Sequence, residues 1–219
     1  MKPLFALALS LACAAAQASP QPLPVDSQWN GQTHAQRAAA WWQWAVAQPA
    51  HLDPLRDTTG AHCAQGQQGD LFFLAGGYGS SHIQRTCDVP AGKHLFFPVI
   101  NMVFWRARPD MPLSCEQVRQ GAALNNDTAL ELFVELDGQP LENPAQYRVA
   151  TQDCFDLYAR LPAGAPKRFG NPAATDGYWI LLPPLPAGTH NLKFGGRYNR
   201  PGAAYGKTVQ DIEYRLQVR

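Results

Sequence analysis

Leu130-Glu131-Leu132-Phe133-Val134-Glu135-Leu136 runs straight into Asp137-Gly138. Apolar and polar residues alternate along the run, the period of a strand with one face on a core. Asp-Gly is the dipeptide of a tight hairpin turn, because both central residues of such a turn need positive φ. This stretch predicts a β-hairpin, and the same grammar repeats on both sides of it. Upstream lie Asp70–Ala75, bounded by Gly69 and Gly76-Gly77, and the apolar run Lys93–Ile100. Downstream come Tyr147–Ala150, Phe155–Tyr158, Tyr178–Leu182 (stopped by Pro183-Pro184), His190–Phe194 and the alternating Val209–Val218. Pro-Ala-Gly stands at 90–92, 162–164 and 186–188, and two of the copies lead directly into a predicted strand. Proline and glycine at those positions suit a tight reversal.

About eight strands at this spacing predict a mainly β fold, a single β-sandwich of jelly-roll-like type. Helical periodicity is strong in one place. Thr33 can cap a helix that runs to Gln48 and stops at Pro49, with Ala38, Trp41, Trp42 and Ala45 on one face. On that spacing Trp41 and Trp42 are core anchors, while Trp44 falls off the face as the partly exposed aromatic. A second short helix is expected near 114–120, with Ser114 as its cap. No flexible linker interrupts 33–219, which reads as one domain preceded by a Pro/Gln/Ser-rich extended leader at 19–32.

The first 18 residues have the form of an export signal: Lys2, an uncharged apolar run from Leu4 to Ala16, and Ala16-Gln17-Ala18 before Ser19. The run is shorter than the ~20 residues of a membrane span, and no second apolar run of that length follows. A lipoprotein signal ending at Cys13 is the competing form, but Ser10 stands where leucine is usual. The expected location is periplasmic or secreted. Beyond the signal, Cys63, Cys87, Cys115 and Cys154 make an even set, and two disulfides are the default in an oxidising compartment. Four cysteines allow three connectivities. Sequential pairing, Cys63–Cys87 and Cys115–Cys154, closes the shorter loops.

Apolar residues are 46% of the 219 and charged residues 16%, against about 25% in a typical soluble domain. The chain can bury a core, and its formal net charge of +1 excludes a strongly basic nucleic-acid binder. The charges are segregated. Residues 19–159 carry 8 Lys/Arg and 14 Asp/Glu; residues 160–219 carry 9 and 3. Attraction between the two ends of one fold explains this as well as a basic surface for an anionic partner does.

Candidate chemistry is sparse. Gly77-Tyr78-Gly79-Ser80-Ser81-His82 sets serines beside a histidine but is not G-x-S-x-G. His34, His51, His62, His82, His94 and His190 include no H-x-H or H-E-x-x-H spacing, so no metal is expected unless His62, His82 and His94 converge around the Cys63–Cys87 bridge. Asp53 with Asp57, and Asp153 with Asp156, are the paired acids, though turn acids of this kind commonly cap backbone amides. Gly76-Gly77-Tyr78-Gly79 lacks the lysine and helix of a phosphate loop, and no cofactor is expected. The remaining candidate is the glycine-rich loop from Gly195 to Lys207, where Arg197, Arg200 and Lys207 offer charge and Tyr198 and Tyr205 offer flat faces. If the protein takes an anionic or glycan ligand, this loop is the expected site.

Taken together, Asp57-Thr58-Thr59-Gly60, Cys63, Gln67-x-Gly69, Phe72–Gly76, Arg85-Thr86-Cys87, Val89–Lys93, Leu95–Asn101, Asp176–Pro186, Gly188-Thr189-His190 and Phe194-Gly195-Gly196 resemble a group of exported bacterial proteins sharing these motifs across roughly residues 41–218. The resemblance implies one structural unit and a Cys63–Cys87 pair. It brings no activity and hence no catalytic residue, and it carries no histidine at 62, 82 and 94. The sequence thus supports an exported β-sandwich binding or accessory module of unspecified ligand. A secreted hydrolase acting on an extracytoplasmic polymer is the alternative.

Overall fold

The computed structural model describes residues 20–79 and 82–219; the export signal and Ser80-Ser81 lie outside the described residues. Its elements in chain order are α1 (His34–Ala47), β1 (Leu71–Phe73), β2 (His82–Val89), β3 (His94–Trp105), α2 (Cys115–Asn126), β4 (Leu130–Leu136), β5 (Gln139–Pro140), β6 (Arg148–Ala150), β7 (Ala173–Leu182), β8 (Gly188–Arg197) and β9 (Val209–Val218). The strands form two sheets, ordered β1-β3-β7-β6 and β2-β9-β8-β4-β5. They stack as a sandwich, with α1 as a third layer on the outer face of the four-stranded sheet. Two pairings are parallel, β1 with β3 and β2 with β9, and the remaining ladders are antiparallel. No described helix is long and apolar enough to cross a membrane.

The middle layer explains its own sequence. β7 is buried at all ten positions. Tyr178, Ile180 and Leu182 face the core between the sheets, while Trp179 and Leu181 face the core under α1. β3 does the same with Leu95, Phe97 and Val99 on one side and Phe96 on the other. A strand covered on both faces has no polar face to show, hence the continuous apolar runs.

The predicted hairpin is present. Leu136 pairs with Gln139 across Asp137 (φ 52°) and Gly138 (φ 78°), both in the left-handed region that this two-residue turn demands. Asp137 does more than turn the chain: Oδ1 accepts the Asn191 N–H at 2.8 Å, and Oδ2 lies 2.7 Å from Nδ1 of His190. A bulge at Glu131 (φ 54°) shifts the β4 register between Leu130 and Phe133, so Val134 and Leu136 point inward while Leu130 lies exposed.

Both expected disulfides form, Cys63–Cys87 and Cys115–Cys154. They close 24- and 39-residue separations, each contributing about 3–4 kcal/mol in the loop-entropy picture. Thr33 and Ser114 each build a capping box, with Gln36 and Gln117 respectively. The leader docks rather than trails: the Leu23 N–H donates to the Leu181 carbonyl at 2.8 Å, and the Arg37 guanidinium packs over Trp29.

Three features depart from the sequence reading. Phe155–Tyr158, expected as a strand, makes only an isolated bridge from Phe155 to Ala173 and then turns. β2 was not foreseen, because its inward series reads Ile83, Arg85, Cys87, Val89, and an arginine breaks the apolar alternation. Trp44, expected to be partly exposed, is only 2% exposed. The Cys63–Cys87 bridge pins the 60–67 turns against that side of α1, where the Trp44 Nε1–H donates to the Gln65 carbonyl at 2.8 Å and the ring packs on Phe73. Periodicity sees one face of a helix; here a second face is covered by a loop.

Trp44→Ala should therefore cost about 3–5 kcal/mol, as Trp41→Ala should. A loss under 1 kcal/mol in denaturant unfolding would show that the 60–67 cover is not formed. His190 gives a pH signature. Burial alone would lower its pKa, but Asp137 at 2.7 Å and the Pro186 carbonyl at 2.9 Å outweigh burial and raise it above the usual histidine value. A folded-state pKa above the unfolded one stabilises fully below the unfolded value and loses that contribution as pH rises through the folded one. The stability gap between wild type and His190→Ala should therefore be wider at about pH 5.5 than at about pH 9. An equal gap at both would remove the imidazolium from the hairpin lock.

Candidate functional site

The motif residues that looked most chemical turn out to be scaffold. Asp57 is the hub of the 57–62 turn: Oδ1 accepts from the Thr59 N–H (2.8 Å), Thr59 Oγ1 (2.8 Å) and Gly60 N–H (3.0 Å), and Oδ2 accepts from the His62 N–H (2.8 Å). Burial pushes its carboxyl up, but these donors more than reverse that and hold it below the usual value. Gly60 (φ 88°) has no room for a side chain, since a Cβ would sit 2.2 Å from the Thr86 carbonyl. Arg85 is 3% exposed and is held by neutral acceptors: Asp57 O (2.7 Å), Ala75 O (2.7 Å), Pro54 O (3.2 Å) and the Tyr214 hydroxyl (2.9 Å). It clamps the 53–60 segment to the sandwich, and its forked donors are spent there.

The histidines do not gather. His82 pairs with Asp211 at 2.9 Å on the parallel β2–β9 ladder, His94 packs on Trp29 with ring centroids 4.2 Å apart, and His190 belongs to the hairpin. Among the described residues no group of three or more His, Cys, Asp or Glu is placed to hold a metal ion. Part of the basic C-terminal portion is paired within the fold. Arg197 pairs with Glu131 at 2.7 Å, Lys193 with Glu135 at 3.8 Å and Arg219 with Asp88 at 2.8 Å. The segregated charges meet because β8 and β9 lie between β4 and β2.

One deep pocket of about 430 Å³ opens where the three layers meet. Its origin is the shortness of β1. That strand covers β3 only from His94 to Phe96; the chain then leaves at Gly76-Gly77. Gln210 replaces it on the exposed edge, with Nε2 donating to the Val99 carbonyl at 2.5 Å and Oε1 accepting the Gly77 N–H at 3.1 Å. Both glycines make room here: a Cβ on Gly76 would displace the Gln210 amide, and one on Gly77 would displace the end of the Ile83 side chain. Beyond Gln210 the β3 edge from Ile100 to Trp105 forms one wall, and Trp42 and Val46 of α1 form another.

The mouth carries Tyr78, Tyr158 and Tyr205 with two arginines. The Arg56 guanidinium lies 5.3 Å from the Tyr78 ring centroid, and Arg168 lies 5.5 Å from that of Tyr158. Arg56 also meets Asp53 at 3.3 Å. Nearly half of Tyr78 is open to solvent, yet burial of its hydroxyl, with Asp53 nearby, pushes its pKa up to about 12. On the β3 wall, Asn101 has a buried amide nitrogen with no hydrogen-bond partner. A buried amide donor is almost always satisfied, and this one is left open within the β3 wall, closed off from water.

The 195–207 loop contributes half of what was expected. Tyr198 and Tyr205 line the pocket, Tyr198 as a buried wall whose hydroxyl donates to Asn126 Oδ1 at 3.0 Å. Its three cations do not line it: Arg197 is turned to Glu131, Arg200 lies 3.4 Å from Asn125 Oδ1, and Lys207 reaches Asn199 Oδ1 at 2.6 Å. Arg56 and Arg168 take that place. Neither stood out in the sequence, since each is a lone charge in a turn-rich stretch. The two carboxylates offered as a pair also separate, Asp53 to the pocket and Asp57 to its turn.

No protein-family model and no curated protein matches the chain. Among solved structures, a cysteine protease inhibitor from Entamoeba histolytica is 17% identical, with 61% of this chain and 86% of that one covered and a TM-score of 0.24. Amebosin, solved in solution, is 11% identical, with 64% of this chain and 100% of that one covered and a TM-score of 0.21. Neither score reaches that of a shared fold, and neither bears on the site.

An unsatisfied buried donor costs about 1–3 kcal/mol. Asn101→Leu, which keeps the shape and removes the donor, should therefore raise the unfolding free energy of the ligand-free protein by about 1 kcal/mol. A destabilised Asn101→Leu variant would show that the amide already has a partner in solution.

Proposed function

We propose that this is an exported β-sandwich module that binds a small molecule in the pocket between α1 and the two sheets. The observation that carries the reading is the pocket itself. It is concave, ringed by aromatic side chains and of ligand size. Export accords with the signal-like first 18 residues and with two disulfides, which persist in oxidising compartments. Binding rather than turnover is favoured by the titratable groups at the site. The one carboxylate among the described lining residues, Asp53, is engaged by Arg56, and no described histidine or cysteine joins it. Such groups do most general acid–base and nucleophilic work, and burial holds the Tyr78 hydroxyl protonated.

A plug tests this. Val46 lies half-buried on the α1 wall, and Val46→Trp puts a much larger side chain into the space. In a ligand-observed NMR screen of small aromatic, acidic and sugar fragments, wild type should give hits that Val46→Trp loses while keeping its folding transition. Hits that all survive the plug, or a screen in which nothing binds wild type, would overturn the pocket as the binding site.

A further inference from the structure

We infer that the ligand class of this pocket is a small aromatic monocarboxylate, its ring system held between the aromatic walls and its charge at the arginine-bearing mouth. The inference rests on the pocket reading above and narrows it. Three observations separate this class from a sugar or a neutral apolar molecule.

Several of the interior polar groups are already engaged. Gln210 is bonded at both ends to β3 and Gly77, the Trp42 Nε1–H donates to Thr175 Oγ1 at 2.9 Å, Gln48 donates to the Trp44 carbonyl at 2.8 Å, and Tyr198 is bonded to Asn126. A sugar carries a hydroxyl on most ring carbons, and each one buried needs a partner. Walls with these donors and acceptors engaged elsewhere leave fewer partners for such hydroxyls. The half-buried Trp105 and the tyrosines of the mouth instead offer aromatic surface for a flat ring.

The open groups favour an acceptor. Arg168 has no ion-pair partner among the described residues and is held out by its packing on Tyr158. Arg56 is shared with Asp53, so the mouth keeps one uncompensated positive charge. A planar guanidinium backed by an aromatic ring is organised for a carboxylate fork.

Size sets the limit. About 430 Å³ is at the small end of the ~300–1,000 Å³ range of ligand pockets, room for one or two fused rings and a head group rather than an oligosaccharide.

The test uses 2-naphthoate, its neutral counterpart 2-naphthylmethanol, and cellobiose, titrated into wild type, Arg168→Gln and Arg56→Gln/Arg168→Gln by calorimetry. Both arginines are exposed side chains outside the cores, so the variants keep the fold. Wild type should bind 2-naphthoate about tenfold more tightly than 2-naphthylmethanol, the worth of one charge-assisted contact. Raising salt to about 0.5 M should shrink the ratio, since a contact at an open mouth is screened. Arg168→Gln should reduce the preference and the double variant abolish it, with 2-naphthylmethanol binding unchanged. Equal affinity for the two naphthyl compounds in wild type, an undiminished preference in the double variant, or tighter binding of cellobiose would overturn the ligand class. If no probe binds wild type while plug-sensitive fragments do, the class falls and the pocket reading stands; if no plug-sensitive fragment exists either, both fall.

Discussion

Trp41 of α1 meets Trp179 of β7 edge to face, ring centroids 5.5 Å apart, and Trp179 in turn stacks on Phe96 of β3 at 5.3 Å. This contact turns a two-layer sandwich into three layers. Each such indole removes roughly 150–250 Å² from water, or about 4–6 kcal/mol at 25 cal/mol/Å². Trp41 also donates its Nε1–H to the Leu74 carbonyl at 2.9 Å, just where β1 ends. The helix is thereby tied to the edge of the sheet whose outer face it covers. β3 and β7 can then be apolar on both sides, and the central sheet needs no solvated face.

A helix lying across a sheet leaves a recess wherever the sheet edge falls short of the helix. Here β1 stops after three residues. A full-length β1 would continue along β3 and fill the space now lined by Ile100 to Trp105. The chain instead departs through Gly76-Gly77, and a single side chain, Gln210, satisfies the stretch of β3 edge next to the departure point. The pocket is thus what remains when an edge strand is replaced by one glutamine. Its walls are rigid because they belong to the two cores, while its mouth is made of turns. That division suits a pre-formed site whose entrance can vary.

How much of this the sequence revealed depends on whether the signal was local. The Asp137-Gly138 turn, the Thr33 and Ser114 caps and the cysteine pairing were legible, because each rests on residues close in the chain or few in number. β7 was legible in part: Tyr178–Leu182 read as a strand, but Ala173–Gly177 did not, since Thr175 and Asp176 are buried polar residues with distant partners. Asp176 is pushed up by burial and pulled back by Arg148, whose fork reaches both of its oxygens at 3.0 Å. β2 was hidden by Arg85 for the same reason. Trp44 was misplaced because its cover is a loop brought in by a disulfide. The site was the least legible part. It draws Trp42, Tyr78, Asn101, Arg168 and Tyr205 from five separate stretches; Tyr205 was a candidate and Asn101 closes the Leu95–Asn101 motif, but nothing local brings the five together.

Arg85 and Arg168 show why residue type alone could not separate scaffold from site. Both are arginines packed on a tyrosine ring, Tyr214 for Arg85 and Tyr158 for Arg168. Arg85 stands within the motif Arg85-Thr86-Cys87 and looks functional; Arg168 stands in a proline- and glycine-rich turn region and looks incidental. The difference lies in what surrounds the guanidinium. Arg85 is enclosed, and its donors reach three carbonyls and a hydroxyl, so it has nothing to offer a ligand. Arg168 is exposed beside a cavity, and its charge is uncompensated among the described residues. A buried arginine held by neutral acceptors is a structural clamp, because removing any acceptor would strand a charge in the interior. An exposed one at the rim of an aromatic pocket costs the fold little to keep, and its charge stays available to whatever enters.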